Sequence, residues 1–236
     1  MKSGGITLRI LFLINFAGKA GTEKYVENLV RIFSSAGNEC HFAYNIAGEL
    51  SEKMAERGIP CLQLDMGGSP LAAARRLAEY CRGNKIEVIH AQYPRENIIA
   101  LLSLRRYSAP HVVYTNHLTI RSGLKWRLLN RIFTPKDHRI IAVCREGRDI
   151  MVENGVCPER IEVIYNGVEP EKHPVRDLSV RPELGIGEGE FMLSILARYA
   201  PEKGLFFLLD ALAQLKEHTD APFACLIAGD GELFDA

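Results

Sequence analysis

The sequence predicts an α/β protein: a Rossmann-like parallel sheet with helices on both faces, followed by an incomplete second unit of the same kind. Two observations carry this. Short runs rich in Val, Ile, Leu and Phe alternate with segments of helical period, the pattern of buried strands joined by crossover helices. Near residue 168 the composition changes to an acidic stretch holding Pro170, Pro174 and Pro182, after which Phe191 opens a new strand, helix and strand.

The elements follow in order. Residues 8–15 form an apolar run interrupted by Arg9 and well short of the roughly 20 residues that span a bilayer. It is read as a buried strand, not an anchor or a secretory signal. A helix is expected over 22–35, with Thr22 as N-cap and Gly37 closing it. Further strands are expected over 39–44, 61–64, 88–90, 111–114, 139–143 and 160–164. Helices fill the intervals at 48–57, 72–83, 97–107, 124–133 and 145–154, with Gly83 capping the second of these. In the second unit the expectation is a strand over 191–197, a helix over 204–217 and a strand over 223–228. Two strands and one helix cover one sheet face, while ordering the chain costs about 1.5 kcal/mol per residue. The expected organisation is therefore a first domain over 1–168, a linker over 169–190 and the truncated start of a second domain over 191–236.

Composition narrows the function classes. Hydrophobic content of 47% and charged content of 25% are those of an ordinary globular protein. The six cysteines are scattered, with no C-x-x-C pair and no metal-ligand spacing, which favours reduced thiols in a cytoplasmic protein. Lys and Arg (29) balance Asp and Glu (29) overall, yet residues 1–180 carry 25 against 19 and residues 181–236 carry 4 against 10. Residues 95–148 concentrate 11 basic against 3 acidic side chains, implying an anionic partner such as a phosphate or a membrane surface. No recognition motif or aromatic stripe accompanies the charge, so nucleic acid is not expected.

The chemistry gathers at strand ends. Arg198 ends one strand, Lys203 follows five residues later, and a helix starts near Gly204. Two cations and free helical N–H groups would then meet one anion, best matched by a nucleotide diphosphate. After the first strand, Ala20-Gly21-Thr22-Glu23 is a glycine-bearing turn opening a helix, small enough for backbone N–H groups to approach a phosphate.

In chain order, Ala20-Gly21-Thr22-Glu23-Lys24-Tyr25-Val26, Glu87-Val88-Ile89-His90-Ala91-Gln92, Tyr114-Thr115-Asn116-His117, Ile140-Ile141-Ala142-Val143-Cys144, Val163-Ile164-Tyr165-Asn166-Gly167-Val168, Arg198 with Glu202-Lys203-Gly204, and Gly229-Asp230-Gly231-Glu232 resemble family 4 of the glycosyltransferases. The resemblance implies the GT-B arrangement of two Rossmann-like domains and transfer of a sugar from a nucleotide-diphosphate-sugar, with retention of configuration, to a carbohydrate, lipid-linked or small-molecule acceptor. It implies no cofactor and no metal, the donor being a co-substrate. Carried over, Arg198 and Lys203 hold the donor diphosphate, Gly21 approaches it, Gly229 and Gly231 pass beside the nucleotide, and His117 is the catalytic histidine near the donor sugar. Glu23 and His90 are acceptor-side candidates.

The sequence departs from the family pattern in places. Gln92 stands where the family usually has a second histidine, and Cys144 where it has a small hydroxyl residue; Cys144 is expected to be a packing group. The family's E-x7-E motif lies beyond Gly231, and the sequence ends at Ala236. A non-catalytic module that retains the acceptor domain therefore stays open as an alternative; a nucleotide-sugar epimerase, which shares the two-domain architecture, is a further one that the motif order disfavours. Residues 124–133 are expected to bury Leu124, Leu128 and Ile132 while exposing Arg127 and Arg131, with peripheral contact to an anionic membrane as a further role.

Overall fold

The computed structural model describes residues 7–167 and 179–234. The first six residues, the last two, and residues 168–178, which include Val168, Pro170, Pro174 and the first half of the expected linker, lie outside the described residues. The chain divides into two compact units, Met1–Val168 and Glu169–Ala236.

The first unit is a seven-stranded, wholly parallel sheet: β1 Arg9–Phe16, β2 Glu39–Ile46, β3 Cys61–Gln63, β4 Val88–Ala91, β5 His111–Asn116, β6 Arg139–Ala142 and β7 Ile161–Val163. The strand order is β3-β2-β1-β4-β5-β6-β7. Helices α1 Gly21–Ser35, α2 Glu49–Glu56, α3 Pro70–Gly83, α4 Pro94–Ser103, α5 Leu124–Phe133 and α6 Arg145–Glu153 make the crossovers. β1 lies inside the sheet, between β2 and β4, in register with β2 through Phe12 and Phe42 and with β4 through Phe12 and His90. Leu11, Phe12 and Leu13 are fully buried, so consecutive side chains feed cores on opposite sheet faces. One core joins Leu11 and Leu13 to Leu77, Ile89 and Ile99; the other joins Phe12 and Ile14 to Val26, Val30 and Met54.

Helix ends differ from expectation in three places. Ala20 is the N-cap of α1 and makes no side-chain cap bond. Thr22 sits inside the first turn, and its Oγ1 pairs with the Tyr93 hydroxyl at 2.8 Å. Gly83 is the last residue of α3; Asn84 caps it, and the left-handed residue is Lys85, at φ 52°. Cys144 is the N-cap of α6, its Sγ accepting from the Gly147 N–H at 3.2 Å. The thiol therefore takes the capping place of the hydroxyl it replaces.

The largest correction concerns α5. Leu124, Leu128 and Ile132 are 72%, 50% and 59% exposed, alongside exposed Lys125, Arg127 and Arg131. The buried residue of the helix is polar: Asn130 donates from Nδ2 to the Asn154 carbonyl at 2.9 Å. Regular i, i+4 spacing created an apolar stripe, but the helix docks through a different face.

The second unit contains α7 Val180–Glu183, β8 Phe191–Leu196, α8 Leu205–His218 and β9 Phe223–Ala228. β8 and β9 pair in parallel, Leu193 opposite Cys225. Neither strand contains a buried residue, and Phe191, Leu196 and Phe207 are largely exposed.

Candidate functional site

Strand order reverses between β1 and β4, and in open parallel sheets the crevice at the carboxyl ends of such strands is where ligands bind. α1 starts beyond β1 at Gly21 and α4 beyond β4 at Pro94, with the bond between Thr22 and Tyr93 tying the two helix starts together. A Cβ added at Gly21 would meet nothing within 4 Å. No packing demand inside the protein explains this glycine, and the space beside it is open to a ligand.

His117 lies just past the end of β5. Its Nε2 is 3.0 Å from Gln92 Oε1, and Gln92 donates its own Nε2 to the His90 carbonyl at 3.2 Å. The amide nitrogen is thus committed as a donor, its oxygen accepts, and the imidazole proton sits on Nε2. Nδ1 retains its lone pair. Burial pushes the His117 pKa down to about 4, so the ring is neutral near pH 7. Tyr25 meets the ring edge-on at 5.0 Å and Tyr93 lies 5.9 Å away.

His90 is placed differently. It is buried on β4, its Nε2 2.7 Å from Thr115 Oγ1 and its ring 5.6 Å from that of Phe12. Burial, and then the proximity of His117, lower its pKa to about 4. His90 is absent from the cavity wall, whereas Glu23, buried on α1, lines it.

That cavity, of about 700 Å³, opens at the strand reversal and is walled by Tyr93, Tyr114, Leu118, Ile120 and Trp126. Asn154 shapes it: Nδ2 donates to the Ile120 carbonyl at 2.8 Å, and Oδ1 accepts from the Ser122 N–H at 2.7 Å. Glu96, 1% exposed on the first turn of α4, also lines the cavity, and burial raises its pKa to about 7.

In the second unit, Arg198 follows β8 and Lys203 ends the 3₁₀ turn Pro201–Lys203, directly before Gly204 and α8. Arg198 is ion-paired with Glu202, both exposed, and Glu202 is lowered in pKa by a backbone hydrogen bond first and by Arg198 second. Gly229 and Gly231 are required by close approach. A Cβ on Gly229 would drive into the Ala197 carbonyl, and one on Gly231 would meet the Tyr199 carbonyl. The Tyr199 N–H donates to the Asp230 carbonyl at 2.8 Å, closing the turn onto the strand that leads to Arg198.

Among the described residues no group of three His, Cys, Asp or Glu side chains could hold a metal ion, and no helix is long and apolar enough to cross a membrane. Sequence reasoning missed Glu96, Trp126 and Asn154. Gln92 was visible only as a departure from a pattern, since its partner is 25 residues away.

The sequence profile of Glycosyltransferase Family 4 matches residues 20–172. The chain belongs to that family. Solved structures share the GT-B fold: a glycosyltransferase from Rickettsia africae matches with a TM-score of 0.79 and 18% identity, covering 95% of this chain and 61% of its own. HepE from Anabaena, solved in complex with UDP, matches with a TM-score of 0.78 and 19% identity, covering 97% of this chain and 62% of its own. Sucrose-phosphate synthase from Thermosynechococcus elongatus matches with a TM-score of 0.68 and 15% identity, covering 94% of this chain and 62% of its own. The chain thus spans about three-fifths of these proteins. No curated protein matches the sequence.

Proposed function

We propose that the protein takes part in transfer of a hexose from a nucleoside-diphosphate donor to an acceptor hydroxyl, as part of a family 4 glycosyltransferase. The observation that carries this is His117, a neutral imidazole at a strand end whose proton is held on Nε2 by Gln92, leaving Nδ1 as an acceptor. Such a lone pair can take a hydrogen bond from a sugar hydroxyl or face positive charge developing at the anomeric carbon. An imidazolium there would oppose that charge. Arg198 and Lys203 hold the diphosphate, the guanidinium as a fork and the ammonium as a compact charge, and neutralise it as it departs. Gly21 brings backbone N–H groups to the diphosphate, Gly229 and Gly231 pass beside the nucleotide, and Glu23 belongs to the acceptor side. His90 acts through Thr115 and Gln92, not on substrate. HepE, solved with UDP-glucose, supports a uridine diphosphate donor.

The test is release of nucleoside diphosphate from UDP-, GDP- and ADP-glucose in the presence of sugar acceptors. The proposal expects release from one donor and its loss in His117→Ala with donor binding retained. Equal release by His117→Ala would remove the histidine from the reaction.

A second observation concerns where the enzyme works. The α5 stripe of Leu124, Leu128 and Ile132 is flanked by exposed Lys125, Arg127 and Arg131, for which no carboxylate lies at ion-pair distance among the described residues. Apolar groups beside unpaired cations suit an anionic lipid surface, which we propose as a peripheral contact of a cytoplasmic enzyme. Co-sedimentation with anionic but not neutral vesicles at low salt is expected; equal binding to both would contradict it.

A further inference from the structure

The amino-terminal edge of the seven-stranded sheet carries a cluster of cationic side chains. His111 opens β5, His138 directly precedes Arg139 at the start of β6, and Arg160 ends the 3₁₀ turn Pro158–Arg160 that leads into β7. β5, β6 and β7 are neighbours in the sheet, with Arg139 opposite Val113 and Ile140 opposite Ile161, so the four residues gather at three adjacent strand starts. His111 and His117 stand at opposite ends of β5, about 20 Å apart at about 3.3 Å per residue. This edge is therefore separate from the site at the strand reversal.

The two imidazoles meet edge to face with their ring centroids 4.2 Å apart. His138 Nδ1 accepts from the Val112 N–H at 3.2 Å, which puts the proton of the neutral ring on Nε2 as a donor. Arg139 Nη1 donates to the His138 carbonyl at 3.0 Å and so stays beside the ring. Burial first, and then His111, Arg160 and Arg139, hold the His138 pKa below its usual value. Nearby carboxylates leave this positive charge unbalanced. Asp137 is buried against Asn97 Nδ2, and burial raises its pKa to about 7. Glu159 accepts from Cys157 Sγ, and Glu87 accepts from the Arg9 N–H. Lys136, over the Phe133 ring, adds a further cation. Among the described residues none of the four is at ion-pair distance from a carboxylate, while His111, His138 and Arg139 are exposed and Arg160 is half-buried.

The charge count selects the ligand. Two guanidinium groups supply permanent positive charge, and protonation of either imidazole adds a third. A carboxylate or a phosphodiester brings a single negative charge, whereas a phosphate monoester brings about −1.5 to −2 at pH 7 on three acceptor oxygens. Its charge also offsets the repulsion between the paired imidazoles. We propose that His111, His138, Arg139 and Arg160 form a binding site for a phosphate monoester, the two guanidinium groups and the imidazole N–H groups donating to its oxygens. The site is independent of the sugar-transfer reading.

The experiment is NMR of the histidine ring protons of the full chain, titrated with inorganic phosphate, methyl phosphate and sulfate, against sodium chloride at matched ionic strength. Saturable shifts of the His111 and His138 signals are expected with each oxyanion and not with chloride. Sulfate stays dianionic throughout, so its pH dependence reports the imidazoles alone; it is expected to bind at least about threefold more tightly at about pH 5.5 than at about pH 7.5, because the dianion favours their protonated form. Arg139→Gln and Arg160→Gln are each expected to weaken phosphate binding at least about tenfold. Co-sedimentation of the unmodified chain and both variants with phosphatidic acid vesicles assigns the source: a loss confined to the variants makes the phosphate a lipid headgroup, and equal sedimentation makes it a soluble monoester. Absence of saturable shifts, equal shifts with chloride, unchanged affinity in both arginine variants, or sulfate binding that ignores pH would overturn the assignment.

Discussion

His117 donates its Nε2 proton to Gln92 Oε1 across 3.0 Å, and Gln92 in turn donates to the carbonyl of His90. Three residues on adjacent strand ends thereby fix the tautomer of one ring. The residue that departs from the family pattern is the one that sets the chemistry of His117.

Replacing Gln92 by Leu removes the acceptor for the Nε2 proton. Nitrogen-15 NMR of the unmodified protein is expected to show His117 with a protonated Nε2 and a bare Nδ1, and Gln92→Leu to show both tautomers. Transfer by the variant is expected to fall about tenfold, equivalent to about 1.4 kcal/mol of barrier, with little change in donor affinity. An unchanged ring spectrum would show that something else holds the proton.

Asp137 and Asn97 form a buried pair under α4. Asn97 Nδ2 donates to Asp137 Oδ2 at 3.0 Å, while Asn97 Oδ1 and Asp137 Oδ1 lack donors. Burial raises the Asp137 pKa to about 7, so its proton is bound more tightly in the folded state and the stability linked to it is lost as pH rises from about 4 to 7. Glu96 contributes with the same sign. His90 and His117, held down to about 4, lose their contribution as pH falls from about 6.5 to 4, so the two pairs oppose each other between these limits. Asp137→Asn supplies a permanent donor. It is expected to stabilise the protein by about 2–4 kcal/mol at pH 8 and by little at pH 4, measured by urea unfolding at both.

Cys144 caps α6 with a thiol, a weak acceptor. Cys144→Ser restores a hydroxyl at the same place and is expected to add about 0.5–1 kcal/mol to unfolding stability. A loss of stability would mean that packing of the sulfur outweighs the cap.

The periodic elements were legible in the sequence because burial on both faces of a parallel strand leaves a continuous apolar run; β1, β2 and β5 each extend one or two residues beyond the expected end. α4 starts at Pro94, three residues early, since proline suits a first helical position. What could not be read depends on which surface is covered. The stripe at Leu124, Leu128 and Ile132 has the spacing of a core face, but nothing local says that the helix docks through Asn130. The site divides in the same way. Gly21, Glu23 and His117 lie at strand or helix ends, positions that the sequence pattern marks; Gln92 with His117, and Asn154 with Ile120, are matched only through the fold.

The central claim is most directly tested by calorimetric titration of nucleoside diphosphates into the protein and its Arg198→Ala and Lys203→Ala variants. Saturable binding of one nucleoside diphosphate is expected, weakened in each variant by about 1.5–3 kcal/mol, the scale of a hydrogen bond to a charged group. Glu202→Gln, which frees Arg198 from its ion pair, should bind at least as tightly as the unmodified chain. Equal affinity in Arg198→Ala, Lys203→Ala and the unmodified protein, with circular dichroism unchanged, would mean that the strand-end cations are a solvated corner and that the donor diphosphate is held elsewhere.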